Sequence, residues 1–129
     1  MNLLLVMIGG FLGSISRYML GEWLYMENGF PIGTLSVNLI GCLFLGWFTA
    51  FIIKRKKIWP EIPLLVGTGF TGSFTTFSTF SVETIQLLEQ QMIMTAITYI
   101  LISVFAGIGL AYIGYKLAGY KKEKGGSLR

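Results

Sequence analysis

The stretch TGSFTTFSTFSVE, Thr71 to Glu83, is rich in hydroxyl groups although it lies inside a strongly apolar segment. Seven of its first eleven residues are serine or threonine, and glycine is frequent at its start and just before it. Its phenylalanines recur at every third position: Phe74, Phe77 and Phe80. Since glycine allows a helix to unwind, we expect this stretch to interrupt a helix and to expose backbone groups. In membrane proteins such interruptions occur where protein or water covers the freed groups.

The composition of the whole chain is that of a membrane protein. The 129 residues are 53% hydrophobic and 12% charged, with a mean hydropathy of +0.69, whereas a soluble globular domain is about 25% charged. The length fits one domain. Cys42 is the only cysteine and histidine is absent. The sequence therefore has no disulfide framework, and it lacks the commonest metal ligand and the usual general base.

Hydropathy predicts four membrane-spanning helices, because about 20 apolar residues are needed to cross a bilayer core. The expected spans are residues 3–24, 32–53, 62–88 and 92–117, followed by a basic tail at 118–129. The third is longer than the bilayer requires at about 1.5 Å per residue, so we expect it to be tilted or broken. The first has no small-residue cleavage site after its apolar core, and we expect a retained helix rather than a signal peptide. The predicted fold is an all-α membrane bundle.

The small size of this bundle favours an oligomer, because four helices enclose little space beyond their own packing. Gly9 and Gly13 lie four residues apart in the first span, and Ala106 and Gly114 occupy a similar register in the fourth. Small residues at such spacing let helix backbones approach closely in lipid. We therefore expect these positions to support association between helices, and the chain to work as more than one copy.

Three polar side chains inside the spans are costly to place in hydrocarbon and are candidates for function. Asn38 fits a hydrogen bond between helices as well as it fits a donor to a passing ligand. Arg17 fits either a side chain that extends to the interface or a positive charge at the mouth of an anion path. Glu83 fits either the approach to an interface or a proton-binding or gating group. The residues alone leave these alternatives open.

Helical periodicity is expected to give the hydroxyl-rich stretch two distinct faces. One face would carry aromatic rings: Phe70, Phe74, Phe77 and Phe80. The neighbouring face would carry hydroxyls: Thr71, Thr75 and Ser78. A path lined by amide, hydroxyl and positive ring edges offers donors without a full charge that would trap an anion. Core packing would explain the phenylalanine spacing but not the hydroxyls beside it.

Three motifs in the chain resemble those of one membrane protein family. They are GGFLGSISRY at Gly9–Tyr18, GTLSVNLIG at Gly33–Gly41 and GSFTTFSTF at Gly72–Phe80. In sequence order and spacing they resemble the CrcB/Fluc fluoride channels over nearly the whole chain. Two residues depart from the pattern of that family: Ser14 replaces the usual alanine, and Ser73 replaces a usual second glycine.

The resemblance implies an antiparallel, dual-topology dimer with two pores, embedded in the lipid of the cell inner (plasma) membrane. It implies passive export of fluoride, which enters cells as neutral hydrogen fluoride and is trapped inside after it ionises. It also implies a structural sodium ion at the centre of the dimer. Backbone carbonyls of Gly72 and Thr75, from both subunits, are the implied ligands of that ion.

The resemblance also implies roles for individual side chains. The implied residues of the fluoride pore are Asn38, Phe77, Ser78, Thr79, Phe80, Tyr99 and Ser103. The ring edges of Phe77 and Phe80 are expected to face the anion. Arg17 matches a residue of the vestibule, and Glu83 belongs to the same polar track.

Two functions of other kinds stay open beside the fluoride channel. A proton-coupled small multidrug-type exporter would also be a short four-helix dimer, but it needs a carboxylate deep in the membrane, and Glu83 is the only near candidate. A non-transporting membrane interaction protein would have no use for the hydroxyl-rich stretch. No Gly-rich nucleotide-binding loop ending in Lys-Ser or Lys-Thr is present, so we expect no pump.

The basic residues predict how the chain is oriented. Nine of the ten lie in the loop at Lys54–Lys57 and at the C-terminal end, Arg17 lies in the first span, and the loops around Glu27 and Glu89 carry none. The net charge of +4 therefore belongs to segment ends rather than to one face, and we expect no nucleic-acid partner. Lysine and arginine favour the cytoplasmic side, so both termini are expected there. An antiparallel dimer then requires a homologous, oppositely oriented chain, unless Arg17 and the acidic loops weaken the bias enough for mixed insertion and self-pairing.

Overall fold

The computed structural model describes residues 1–27, 29–55 and 57–120, with only the backbone of Tyr120, and these ranges contain helices and no strand. The α-helices are α1 (Asn2–Trp23), α2 (Ile32–Lys54), α3 (Gly72–Phe74), α4 (Ser78–Glu89) and α5 (Ile93–Tyr120). A π-helical segment, Pro63–Thr71, precedes α3. The predicted all-α class is confirmed. The part of the expected basic tail that follows Tyr120 lies outside the described residues.

Three helices are long and apolar enough to cross a membrane: Asn2–Trp23, Ile32–Lys54 and Ile93–Gly119. They start and stop within a few residues of the first, second and fourth predicted spans. Many of their large apolar side chains are exposed, as expected of helices that face lipid. The third predicted span differs, because it is divided into separate pieces.

The π-helical segment forms the first of these pieces. It begins with Pro63, whose missing N–H is harmless in the first turn of a helix. The hydroxyl of Thr71 donates to the carbonyl oxygen of Val66, five residues earlier, at 2.9 Å. The glycines that were expected to unwind the helix remain helical: Gly67, Gly69 and Gly72. Unwinding therefore starts further along the chain.

The interruption follows α3. Thr75 is extended, with φ −78° and ψ 154°, directly after Phe74 ends the helix. α4 begins at Ser78, so residues 75–77 belong to neither helix, with Phe77 as the N-cap residue of α4. We refer to these three residues as the break. The break splits the third predicted span in the middle of the hydroxyl-rich stretch.

Helix α1 packs against the π-helical segment through close backbone contact. A Cβ atom added to Gly9 would overlap the carbonyl oxygen of Leu65, and one added to Gly13 would overlap that of Phe70. The expectation that this glycine pair would join different copies has no support here, because the pair already packs within one chain. The same glycine spacing suits helix packing within one chain and between two chains, so the sequence could not distinguish these possibilities.

Helices α2 and α5 make the second close seam and run parallel. A Cβ at Gly46 would overlap the carbonyl oxygen of Ala111, and one at Gly114 would overlap that of Leu43. Lys54, at the last turn of α2, lies beside Gly119. The C-terminal ends of both helices, and with them the basic residues at these ends, therefore lie together.

The buried core lies where α2, α4 and α5 meet. Its fully or almost fully buried members are Leu35, Leu87, Ala96 and Tyr99, with Phe30, Leu39, Phe80 and Met92 packed against them. Two of these residues, Phe80 and Leu87, belong to α4, the short helix after the break. The core thus fixes α4 relative to the long helices, and with it the position of the hydroxyl-rich stretch.

Candidate functional site

The amide of Asn38, in the second turn of α2, holds the break. Its Nδ2 donates to the carbonyl oxygen of Thr76 at 2.9 Å, and its Oδ1 accepts from the backbone N–H of Thr76 at 2.8 Å. We call this pair of bonds the bracket. A residue outside the helices but inside a membrane lacks intrahelical partners, and the bracket supplies both of those of Thr76. An amide has two N–H groups, and the second one of Asn38 is not used in the bracket.

The side chain of Thr76 organises the start of α4. Its Oγ1 accepts from the backbone N–H of Thr79 at 3.2 Å, as a capping hydroxyl does. The same oxygen lies 3.3 Å from the Ser78 hydroxyl and 3.1 Å from the Thr79 hydroxyl. Ser78 and Thr79 are exposed on the single chain. Three hydroxyls are thus grouped on a surface at the first turn of a membrane-embedded half-helix.

Glu83 accepts a hydrogen bond at each of its carboxylate oxygens. Thr34 Oγ1 donates to Oε1 at 2.7 Å, and Tyr99 OH donates to Oε2 at 2.8 Å. Thr34 belongs to α2 and Tyr99 to α5, so the carboxylate ties three helices together. The structure therefore places Glu83 in direct contact with Tyr99, another residue assigned to the pore by resemblance.

The rings of Phe77 and Phe80 form a pair beside this carboxylate. Their centroids are 5.9 Å apart, and the Phe80 ring lies 5.0 Å from that of the fully buried Tyr99. Phe80 is half-buried, but Phe77 is 79% exposed. A large ring that belongs to neither the core nor a continuous apolar helix lacks a covering surface within this chain.

The expected single stripe of four phenylalanines is wrong. Phe70 and Phe74 stack on each other at 5.6 Å, and Phe70 also contacts Phe44 of α2 at 6.4 Å. The other two rings lie after the break, where Phe77 and Phe80 pair separately. An i, i+3/i+4 stripe requires continuous helical geometry, and the extended Thr75 ends that geometry.

The expected stripe of three hydroxyls fails for the same reason. Thr71 and Thr75 return their hydroxyls to backbone carbonyls, those of Val66 and Thr71 respectively, each at 2.9 Å. Ser78 contacts Thr76 instead. Only the hydroxyls after Thr75 are therefore grouped on the exposed surface.

Arg17 and Glu83 line one cavity of about 390 Å³ at the end of the bundle opposite the basic residues of α2. Thr34, Thr76 and Thr79 line it as well. The cavity thus joins the vestibule position to the hydroxyls at the first turn of α4. Among the described residues that line it, Arg17 is the one cationic side chain, and the carboxylates of Glu22 and Glu27 line it together with Glu83.

The remaining predicted site residues lie apart from that cavity. Ser103 is half-buried on α5, one helical turn beyond Tyr99. Gly72 is exposed, and an added Cβ would meet nothing within 4 Å. Thr75 directly precedes the bracketed Thr76, and its backbone N–H and its hydroxyl both donate to the carbonyl oxygen of Thr71.

Two residues that the structure places at the site were missed from the sequence. Thr76 was counted among the hydroxyls but had no specific role. Thr34 lies one helical turn before Asn38, so a polar i, i+4 pair on an apolar helix was the available signal. Both contacts join residues far apart in the chain, which local spacing does not reveal.

Comparison with known proteins agrees with this arrangement of motifs. Residues 4–115 match the family described as CrcB-like protein, Camphor Resistance (CrcB). The chain belongs to the CrcB family. The resemblance carried by the three motifs is thereby confirmed, and CrcB membership together with the apolar helices makes the chain a multi-pass protein of the cell membrane.

Curated relatives of this CrcB chain are similar to it over most of its length. The fluoride-specific ion channel FluC of Oceanobacillus iheyensis is 52% identical over 123 residues, which cover 95% of each chain. FluC 1 of Bacillus cereus strain ATCC 10987 is 43% identical, covering 94% of this chain and 90% of the relative. A fluoride-specific ion channel FluC of a Synechococcus species is 44% identical, covering 88% of each.

Proposed function

We propose that the chain is a fluoride-selective ion channel through which fluoride leaves the cell passively, protecting it against fluoride toxicity. The proposal is supported by membership of the CrcB family and by relatives named as fluoride-specific ion channels. The observation that carries it in this molecule is the bracketed break, which places neutral donors on a surface at membrane depth. The protein is a channel and not an enzyme.

The donors at the break suit an anion that must shed water and still move on. The exposed hydroxyls of Ser78 and Thr79 offer O–H donors, and the free N–H of Asn38 adds an amide donor. Phe77 and Phe80 add positive ring edges. None of these groups carries a full charge that would hold fluoride permanently. A negative-inside membrane then drives the anion outward, by about 2.3 kcal/mol per charge per 100 mV.

The pore is completed by a second chain in an antiparallel dimer. In each chain the broken third segment crosses the membrane together with the three long helices, which makes four spans. The exposure of Phe77 supports this, as does the exposure of Ser78 and Thr79 beside it. Hydroxyls at this depth gain nothing from lipid, which offers no hydrogen-bond partner. A partner surface or the ion pathway would cover them. Tyr99 and Ser103 continue the pathway along α5.

In the cell the second chain is a homologous, oppositely oriented protein, and this chain pairs with itself only when it is expressed without that partner. The ends of α2 and α5 place Lys54, Arg55 and Lys116 at one end of the bundle. Glu27, in the turn after α1, and Glu89, the last residue of α4, lie at the other end. Such asymmetry favours one orientation in the membrane. A topology reporter fused after the last residue tests this: a purely cytoplasmic signal is expected, and equal cytoplasmic and external signals would show that the chain pairs with itself.

A structural sodium ion is the proposed link at the centre of the dimer, held by backbone carbonyls of Gly72 and Thr75 from two chains. The donor chemistry fits, because hard cations take oxygen ligands. Thr75 is extended, and no described backbone N–H donates to its carbonyl oxygen. Gly72 is exposed with open space around it. When bound, the ion would supply positive charge that stabilises carbonyl groups of both chains.

Fluoride efflux from liposomes that contain the purified protein tests the function. We expect fluoride to leave and chloride to be retained, because a narrow dehydrating path discriminates by size and hydration. Comparable chloride flux would contradict selectivity. If the oligomer is folded but passes no fluoride, the chain is better interpreted as a non-transporting membrane protein. Proton-coupled cation uptake would instead favour the small multidrug-type exporter.

A further inference from the structure

Each of three cations at the C-terminal ends of α2 and α5 lies over an aromatic ring. The pairs are Lys54 Nζ over Tyr115 at 5.4 Å, Arg55 Cζ over Phe51 at 4.5 Å, and Lys116 Nζ over Tyr112 at 5.0 Å to the ring centroids. Rings in this position hold long basic side chains in place by cation–π attraction. We call Lys54, Arg55 and Lys116 the basic surface.

The basic surface bridges two helices. Lys54 belongs to the last turn of α2, but its Nζ lies over a ring of α5 and beside Gly119. Arg55 follows Lys54 directly, and Lys116 follows Tyr115 directly. Because the two helices run parallel and meet here, the three cations converge on one end of the bundle. All three side chains are exposed.

The charge of this surface is not compensated by the described part of the chain. No ion pair occurs among residues 1–27, 29–55 and 57–120. Glu61 is the carboxylate of these ranges nearest in sequence, and it forms no ion pair with them. Unpaired cations that are already held by rings are prepared to accept an external anion, and phosphate is the anion that guanidinium and ammonium groups bind strongly.

Large apolar side chains adjoin the same cations. Ile53 is 67% exposed, Ile113 is 49% exposed and Leu117 is 57% exposed. These residues belong to the ends of two candidate membrane spans. A free phosphate ion would use the cations alone, whereas a phospholipid would use both the cations and the apolar surface below them. The combination favours the lipid.

We propose that Lys54, Arg55 and Lys116 form a binding site for the headgroup phosphate of an anionic phospholipid, whose acyl chains lie along the ends of α2 and α5. The site is remote from the break, so the inference does not depend on fluoride conduction. Bound lipid would fix the depth of this end of the bundle in the membrane.

Native mass spectrometry of the full chain in detergent, titrated with phosphatidylglycerol or phosphatidylcholine, tests the site. We expect tighter binding of phosphatidylglycerol to the unaltered protein. K54Q and K116Q are each expected to weaken that binding about fivefold, since one basic residue near an anionic surface contributes about that factor. K57Q is the matched control: Lys57 is exposed and carries the same charge, but lies over no described ring. Its effect is expected to stay below about twofold.

Several outcomes would overturn the proposal. Equal binding of phosphatidylglycerol and phosphatidylcholine by the unaltered protein would exclude a site for an anionic headgroup. This comparison does not depend on any variant. An equal loss in K57Q would mean diffuse attraction rather than a defined site. Displacement of phosphatidylglycerol by excess inorganic phosphate would assign the surface to free phosphate. K54R and K116R, which keep the charge, are expected to retain the lipid, and loss of binding in both would remove the electrostatic basis.

Discussion

The glycine seams and the break solve opposite packing problems in one small chain. Along α1 and the π-helical segment, and along α2 and α5, backbones touch so closely that even a methyl group would overlap. At and directly after the break, the Phe77 ring and the hydroxyls of Ser78 and Thr79 are left exposed. At the seams both contacting surfaces belong to the same chain. At the break, Asn38 holds the backbone from within the chain, but no described part of the chain covers the outer surface. Exposure of hydrogen-bonded polar groups beside a helix interruption is therefore a better guide to the proposed functional surface than small-residue spacing is.

The largest effect is expected when the bracket is removed. Asn38→Ala leaves the N–H and the C=O of Thr76 without partners in a membrane, at about 1–3 kcal/mol for each group. We expect a total loss of stability of about 2–6 kcal/mol, together with loss of fluoride flux. Thermal unfolding in detergent and liposome efflux measure both. Ser36→Ala is the control on the same helix, because no described hydrogen bond uses its side chain; an equal loss there would show that the helix rather than the bracket matters.

The next largest effect is expected at the seams. Gly114→Ala drives a methyl group into the Leu43 carbonyl, and overpacking of this kind lowers stability by about 1–3 kcal/mol. Gly109→Ala is the matched control on α5, since nothing lies within 4 Å of its added Cβ. Melting temperatures of the two variants separate the cases. Equal values would mean that the close approach of α2 and α5 does not contribute to stability.

The ring pair is expected to affect flux more than stability. Phe77→Ile and Phe80→Ile replace positive ring edges with alkyl groups, and we expect each to reduce fluoride efflux about tenfold or more while the protein stays folded. Phe77 is the cleaner test because its exposure leaves little packing to lose. Phe105→Ile, at another strongly exposed ring, is the control. Unchanged efflux in both variants would assign the rings to packing alone.

The smallest effect is expected from the carboxylate contact. Tyr99→Phe deletes the hydrogen bond to Glu83 but keeps the ring, so stability should fall by about 0.5–1.5 kcal/mol. Thr34→Val should have a similar effect through the other oxygen. A double variant that loses no more than either single one would show that the two bonds act as a unit.

Much of the fold was predictable because long apolar runs are local signals. Helices α1, α2 and α5 require only about 20 apolar residues each, and the sequence displays them directly. The occurrence of a break was also predictable from the glycines and hydroxyls. Its place was not, because the partner that holds Thr76 is Asn38, on another helix. Propensity favours unwinding near glycine, but the side chain of Asn38 selects the position.

The candidate site was predictable in its members more than in its contacts. Glu83, Tyr99 and the rings of Phe77 and Phe80 were all identified, and the structure brings them together. Thr34 was not identified, because its bond to Glu83 spans 49 residues. The stripe of phenylalanines was wrong because periodicity assumes one uninterrupted helix. Proposed roles in fluoride and sodium binding remain predictions from the resemblance and from donor chemistry.

The bracket recognises only main-chain atoms of Thr76, and this sets unequal mutational tolerance at its two ends. Position 38 needs a short side chain that presents both a donor and an acceptor; aspartate lacks the donor, and glutamine is longer by one methylene. Position 76 contributes to the bracket through atoms that every residue except proline possesses. The bracket is therefore encoded at one residue, while the capping hydroxyl of Thr76 serves the start of α4 and the side chains after it are freer to diversify. A designer who wished to change which anion passes would vary residues 77–79 and leave Asn38 untouched.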